Sequence, residues 1–361
     1  MLRETLTTTI LAAMCMTALG QSSVKYEVPV PKSLWPAPDT ISMVIVGDVM
    51  MHRRQLEYDH TKFLEPVRHI LEDADIAVAN MEFALGGEPY TGYPAFSAPD
   101  AYARYVAGTG VDVFLTANNH ILDRGSGGLR RTIGVYEEMK AGGGILYTGT
   151  ASDAAADTCI NPLVVVGRGI RIALVNFTYG TNAGSGEPWP TVRRASREAV
   201  GADIARAREK GVDFIVVLPH WGEEYNLKHS AWQQDWAEWL CSQGADLVVG
   251  AHPHVVQDTT HIGRVPVVYS VGNAISNMSA TNTRLELAVT VRFVRHHDGS
   301  TEMLEPELTW LWCTIPGTLT TGYATIPVRE YIGRRDEWIN PSDYDNMVAT
   351  LKRVKETTGI Q

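Results

Sequence analysis

The chain lacks the features that mark a membrane-embedded protein, a disulfide scaffold or a nucleic-acid binder. After residue 20 no apolar run approaches the roughly 20 residues that a membrane-spanning helix needs. Four cysteines in 361 residues are sparse, and Cys159, Cys241 and Cys313 are odd in number and far apart, so they read as small buried hydrophobes rather than a disulfide framework or a metal cluster. A cationic surplus is missing too. The 31 Lys and Arg stand against 41 Asp and Glu, a net charge of −10, which repels phosphate backbones and argues against nucleic acid as a partner. Internal repeats and low-complexity segments are also absent. What is there, 45% hydrophobic and 20% charged, is the composition of a globular chain long enough to bury a core without covalent staples.

The beginning of the chain reads as an export signal. Arg3 precedes an apolar stretch from Ile10 to Leu19, and Ala18 and Gly20 form a small-x-small pattern before Gln21. Cys15 follows Met14 where a lipoprotein signal wants a small residue, so the expectation is a cleaved signal over 1–20 and a periplasmic or cell-surface protein with no transmembrane segment in the mature chain. Residues 21–40, rich in Pro and Ser, read as a linker. A domain over 41–322 and a C-terminal extension over 323–361, packed on it, complete the expected organisation.

From residue 43 onward, short β-branched apolar runs alternate with helical patterns. The runs cover 43–47, 76–79, 111–117, 145–147, 163–166, 170–177, 214–219, 247–251 and 265–271, each bounded by Gly, Asn, Asp or Pro, as buried strands are. Helical spacing predicts helices over 61–73, 99–108, 126–142, 196–210 and 229–243. This alternation argues an α/β fold with mostly parallel central strands. From 254 to 315 the helical period disappears, which predicts an antiparallel part, and a last helix is expected over 343–357.

Four of these strands end on side chains able to bind metal. Asp48 follows 43–47, Asn119 and His120 follow 113–117, His220 follows 214–219, and His252 and His254 follow 247–251. A fifth run, 76–79, leads through Asn80 to Glu82. Open α/β sheets gather ligands outside the carboxyl ends of their strands, so these tips should converge. Imidazole, carboxylate and amide oxygen suit Zn, Mn or Fe, and Asp48, Glu82, Asn119, His220, His252 and His254 exceed the needs of one tetrahedral ion. The surplus points to two divalent ions, ~3.5–4 Å apart, and to hydrolysis. Asp123 is placed to orient an imidazole. Arg53, with Arg54 beside it, offers positive charge near Asp48 for an anionic substrate. Glu224 and Tyr225 are expected to touch substrate, Asn273 to bind substrate or orient a ligand, and the loop 179–190 to face the substrate. His52, His60, His69, His229, His261, His296 and His297 lack such a context and read as surface or structural residues.

At these residues the chain resembles the CapA family of capsule synthesis, associated with poly-γ-glutamate biosynthesis and distantly similar to calcineurin-like metallophosphoesterases. The resemblance rests on six ordered segments: 47–52, 79–82, 117–125, 219–225, 250–255 and 269–273. It implies a four-layer α-β-β-α sandwich of two mixed sheets, of metallophosphatase type, with its metal site at the strand tips. It also assigns His120 the role of the catalytic imidazole that steadies a leaving group. One departure from the phosphoesterase pattern stands out: where an imidazole is expected two residues after Asp48, this chain has Met50, and a thioether does not replace an imidazole for a hard ion. The resulting expectation is an exported metal-dependent hydrolase acting on, or helping to assemble, an anionic polymer such as poly-γ-glutamate, alongside capsule synthesis machinery. The alternatives are a non-catalytic assembly or export factor that binds the polymer, and a phosphoesterase.

Overall fold

Along the first strand, β1 (Asp39–Val49), side chains alternate between two apolar surfaces, and this alternation generates the architecture. Met43 and Ile45 enter one core cluster, Val44 and Val46 another. In this computed structural model, which describes residues 39–361, the expected signal and most of the expected linker lie outside the described residues. Asp39 and Thr40, the last two positions read as linker, already belong to β1.

In chain order β1 is followed by β2 (Ile76–Met81), β3 (Val113–Leu115), β4 (Leu146–Thr148), β5 (Thr150–Ala151), β6 (Leu163–Gly167), β7 (Ile170–Thr178) and β8 (Thr191–Val192). Then come β9 (Phe214–His220), β10 (Leu247–Val249), β11 (Thr259–Ile262), β12 (Val265–Val268), β13 (Leu285–Arg295), β14 (Thr301–Met303), β15 (Glu307–Thr314) and β16 (Ala324–Pro327). One mixed sheet has the order β16-β15-β13-β1-β2-β3-β4, with β14 paired to β13. Within it β1 to β4 run parallel, while β13, β15 and β16 join antiparallel. The other has the order β11-β12-β10-β9-β7-β6, parallel at its centre and antiparallel at both edges. β5 and β8 form a small separate ribbon.

Three apolar clusters define four layers. The inner cluster joins Met43, Ile45 and Val289 of the first sheet to Ile172, Val216 and Leu247 of the second. The outer face of the first sheet is covered by α1 (Arg68–Glu72), α2 (Asp100–Gly108) and α3 (Gly125–Ala141), through Leu71, Tyr102, Val106, Leu129 and Tyr136. After α4 (Ala154–Ile160), the helices α5 (Arg197–Glu209) and α6 (Ala231–Ser242) cover the second sheet through Val200, Ile204, Trp236 and Leu240. The α-β-β-α order with two mixed sheets is the expected fold class. Each fully buried aliphatic side chain in these clusters contributes about 1.5–3 kcal/mol.

The expected helix over 61–73 is broken. Pro66 lacks an amide hydrogen and crowds the preceding turn, so 3₁₀ turns occupy His60–Lys62 and Glu65–Val67, and α-helix begins only at Arg68. α4 went unread because most of its side chains are solvent-facing and carry no apolar period; Asp153 caps it by accepting from the amides of Ala155 and Ala156. The segment 323–361 is tied into the domain rather than laid on it. β16 extends the first sheet at its edge, and α7 (Val328–Tyr331) and α8 (Pro341–Thr358) follow. Met347 and Val354 of α8 enter the inner cluster. Arg284 clamps Asp343 of α8 in a bidentate pair at 2.6 and 2.7 Å.

Candidate metal centre

The carboxyl ends of β1, β2, β3, β9 and β10 meet at one rim. Close backbone approach brings them there. A Cβ on Gly47 would stand 1.9 Å from the Gly272 carbonyl, and one on Gly250 would strike both Trp221 and the Tyr269 carbonyl at 2.2 Å. His252 and His254 hold backbone φ of 102° and 58°, a region side-chain-bearing residues rarely occupy. Such strain persists where the surrounding structure aims the side chains for a purpose.

Asp48, Glu82, Asn119, His220, His252 and His254 are brought together, none more than 3% exposed. Ligand atoms of Glu82, His220 and His252 lie within 4.8 Å of one another, and so do those of Asp48, Glu82 and His254. Glu82 is common to both sets. The Asn119 Oδ1 stands 2.8 Å from His220 Nε2, beside the first set. Asp48 Oδ2 is 3.2 Å from His254 Nδ1, and Glu82 Oε1 is 3.6 and 3.9 Å from the Nε2 atoms of His220 and His254. Both carboxylate oxygens of Glu82, and Nδ1 of His252, are buried without a hydrogen-bond partner. Leaving a buried charged oxygen unpaired is costly. Donor chemistry and orphaned atoms together fit a divalent cation.

The protonation of the cluster follows from its burial. For Asp48, burial raises the carboxyl, but the His254 hydrogen bond and the charges of His220 and His254 outweigh it and hold the group below its ordinary value. Glu82 is pushed well above its own, first by burial and then by the charge of Asp48. Burial drives His220 down to about 3 and, with repulsion from the other imidazoles, His252 well below its usual value. Both are neutral near pH 7, the form that ligates metal. Burial lowers His254 as well, but its bond to Asp48 prevails and raises it.

Around this cluster, His120 Nδ1 is 2.7 Å from Asp123 Oδ2, the orienting pair expected from the sequence. The edge of Phe96 packs on His120, ring centroids 4.7 Å apart. Glu224 is exposed, yet its carboxylate lies within 4.8 Å of ligand atoms of His252 and His254. Tyr225, 45% exposed, sits 6.4 Å from the His254 ring. Of the two roles expected for Asn273, the structure favours the orienting one. Asn273 is fully buried behind His254, its Oδ1 2.9 Å from Nδ1, so it orients that imidazole and does not face a substrate. Arg53 is exposed on a 3₁₀ turn and makes no ion pair among the described residues.

Several neighbours were missed. Asn80 donates to Asp48 Oδ1 at 2.7 Å and stands 3.2 Å from His220 Nδ1, tying two strand tips together. Its position two residues before Glu82, near the end of β2, was the available signal. His52, read as surface or structural, is buried enough that its pKa falls to about 4, with repulsion from His254 and His120 adding to desolvation, and its Nε2 has no partner. Tyr179 opens the loop 179–190 and lays its ring 4.5 Å from that of His252. Farther along, the Asn182 amide donates to the Asn119 carbonyl at 2.8 Å, so this loop does border the cluster.

Residues 42–278 match the sequence profile of the family described as bacterial capsule synthesis protein PGA_cap. The capsule biosynthesis protein CapA of Bacillus anthracis is 30% identical over 261 residues, covering 68% of this chain and 62% of that protein, so the chain spans about three-fifths of that relative's length. The PGA biosynthesis protein CapA of Bacillus subtilis is 26% identical over 289 residues, 76% of this chain and 73% of the relative. Among solved structures, the NAD nucleotidase of Haemophilus influenzae aligns at a TM-score of 0.45 and 10% identity, over 75% of this chain and 58% of the other.

Proposed function

Because the chain belongs to the bacterial capsule synthesis protein PGA_cap family, we propose that it is an exported, metal-dependent hydrolase acting on an anionic polymer of the poly-γ-glutamate kind during its assembly or trimming. The observation that carries this reading is Glu82: a fully buried carboxylate whose two oxygens have no partner, standing between two sets of ligands. A carboxylate so placed would help to hold divalent metal. In this reading Glu82, Asn119, His220 and His252 hold one ion, and Asp48, Glu82 and His254 the other. Zn, Mn and Fe all suit these donors.

When bound, such ions supply Lewis acidity to the bond under attack and make a nucleophile available near neutral pH. The protein's own residues do the rest. Asn80 and Asn273 fix the orientations of Asp48, His220 and His254 through the contacts above, as supporting partners of metal ligands do. His120, held at Nδ1 by Asp123, keeps its Nε2 edge for the leaving atom, with only a long 3.5 Å approach from Asn182. It would deliver the proton that lets the leaving group depart. Tyr179 and Tyr225 flank the imidazoles, each partly exposed and able to contact a bound chain.

Met50 argues for an amide bond over a phosphoester. It is 2% exposed and belongs to the cluster between the first sheet and its helices, so the position where the phosphoesterase pattern has an imidazole is taken by a packed apolar side chain. The second ligand set therefore has fewer donors than the first, and its ion is expected to be the more weakly held. The test is metal content together with turnover. Purified protein should retain divalent metal and cleave γ-linked glutamate polymer faster than a panel of phosphoesters, and His252→Ala should lose both metal and cleavage. Full metal loading with no cleavage of either substrate class would defeat the hydrolase reading and leave a polymer-binding assembly factor.

A further inference from the structure

A cavity of ≈500 Å³ lies between the segment 277–284, the end of β15 and α8, with Arg54 also in its lining. Asn273, fully buried, stands between it and the metal cluster: it holds His254 on one side and touches the Sδ of Met278, in the cavity wall, at 3.5 Å on the other. Three arginines line the cavity, Arg54, Arg284 and Arg353, and no lining residue is acidic. In a chain of net charge −10 this local sign reversal is a concentration of positive charge that chance placement of surface residues does not favour.

The three arginines are not equivalent. Arg284 is neutralised by its bidentate pair with Asp343 and lies 4.4 Å from the Trp312 ring centroid, so it acts as a wall. Arg54 and Arg353, both exposed, have no carboxylate within ion-pair distance among the described residues. Arg353 is instead held by a neutral group, donating from Nε and Nη2 to Asn282 Oδ1 at 2.9 and 2.7 Å, while Arg54 has the Tyr58 and Tyr323 side chains near it. Asn282 has φ 73°, a left-handed conformation that costs asparagine little and most residues more. Guanidinium groups positioned by neutral acceptors keep their charge for an incoming anion, and their planar fork suits a carboxylate.

We infer that this cavity is an anion subsite holding a carboxylate of the polymer, along the chain from the bond presented at the metal cluster. The inference rests on the polymer reading above and adds where the substrate's charge is recognised. A polymer with a carboxylate on every unit would be anchored here while another unit is presented to His120 and the metal ligands, which gives the protein a preference for oligomers over single glutamates.

The test is calorimetric titration of the full, metal-loaded protein with γ-linked glutamate oligomers. The Arg54→Gln/Arg353→Gln double variant should bind at least tenfold more weakly than the wild type, with metal content and melting temperature unchanged. The Arg54→Lys/Arg353→Lys variant should recover only part of the affinity, the share that charge supplies without the planar fork. If wild type and the Gln variant bind the oligomer within twofold of each other, the subsite is overturned while the polymer reading stands. If the oligomer does not bind at all and inorganic phosphate binds through the same two arginines, the carboxylate assignment and the polymer reading both fall.

Discussion

Two buried polar clusters in this molecule look alike in composition and differ in balance. In the one beside α4 and α5, Arg193 reaches Asp157 at 2.7 Å and Asp203 at 2.9 Å, Arg206 pairs with Asp203 and donates to the Asn161 carbonyl at 2.8 Å, and the Asn161 amide donates to Asp157. Cations and carboxylates alternate, and each has an opposite partner. At the strand tips, Asp48 is paired with His254, whose imidazole that bond raises, but both oxygens of Glu82 are left without a hydrogen-bond partner. A cluster in which each carboxylate has a cation beside it needs no ligand and serves the fold, even with Arg193 Nε lacking a well-directed hydrogen bond and burial raising Asp203 to about 7. One in which burial keeps a carboxyl from ionising is less stable empty than filled, and that deficit is what the protein can spend on binding a metal.

The comparison is most directly broken at Glu82. Glu82→Ala should abolish two-metal loading and reduce turnover by about three orders of magnitude or more. Glu82→Gln should raise the melting temperature of the metal-free protein at neutral pH, because a carboxyl that burial keeps from ionising favours the unfolded chain there. Thermal scans with chelator present check the second point, and a fall in melting temperature would show that Glu82 is paired in solution and that the imbalance is not real.

Asp203→Ala tests the other side. It leaves Arg193 and Arg206 short of a carboxylate they share, in a position 1% exposed, and removing one member of a buried pair costs about 3–5 kcal/mol. Denaturant unfolding should show this loss while metal content and turnover stay at wild-type levels. Loss of metal with Asp203→Ala would mean that the two clusters are coupled through β7 or the 179–190 loop.

Asn80 lies between these extremes. It contacts Asp48 and His220 without being needed as a ligand, so Asn80→Ala should weaken metal affinity by about 10–100-fold, the usual cost of losing an outer partner, with little change in folding. A competition titration against a chelator of known affinity measures it. An unchanged affinity would reduce Asn80 to a packing residue.

Asn80 also shows where sequence reading stops. The six ligand candidates were legible because each follows a short apolar strand, and parallel strands bring their carboxyl ends to one rim whatever their order along the chain. The α/β class was legible for a related reason, since short apolar runs alternate with helical patterns, while the four layers came with the family resemblance. Contacts that cross between strands leave no such trace. Nothing in the order of residues says that Asn80 spans Asp48 and His220, that Asn273 backs His254 instead of meeting a substrate, or that Arg53 turns outward while Arg54 lines a cavity. These depend on the pleat and register of neighbouring strands, which long-range pairing alone fixes.

Glu286 gives the smallest effect and probes the same imbalance one step farther from the rim. It is fully buried on β13, its Oε1 accepting from the Gly47 amide at 2.8 Å while Oε2 has no partner. Burial pushes its carboxyl up to about 8, with the charge of Asp48 adding to the shift. The folded chain therefore keeps a proton that the unfolded chain releases above about pH 4.5. Its stabilising contribution is complete below that pH and is lost progressively as the pH rises through about 8. In Glu286→Gln the amide oxygen can still accept from Gly47 but nothing titrates, so the melting temperature of the metal-free variant should fall less steeply between pH 5 and 8, by a few degrees across that range. Parallel slopes for variant and wild type would mean that Glu286 titrates normally, with water reaching β13. The apolar surroundings assigned to the back of the metal centre would then be wrong, and with them the reason its carboxylates call for cations.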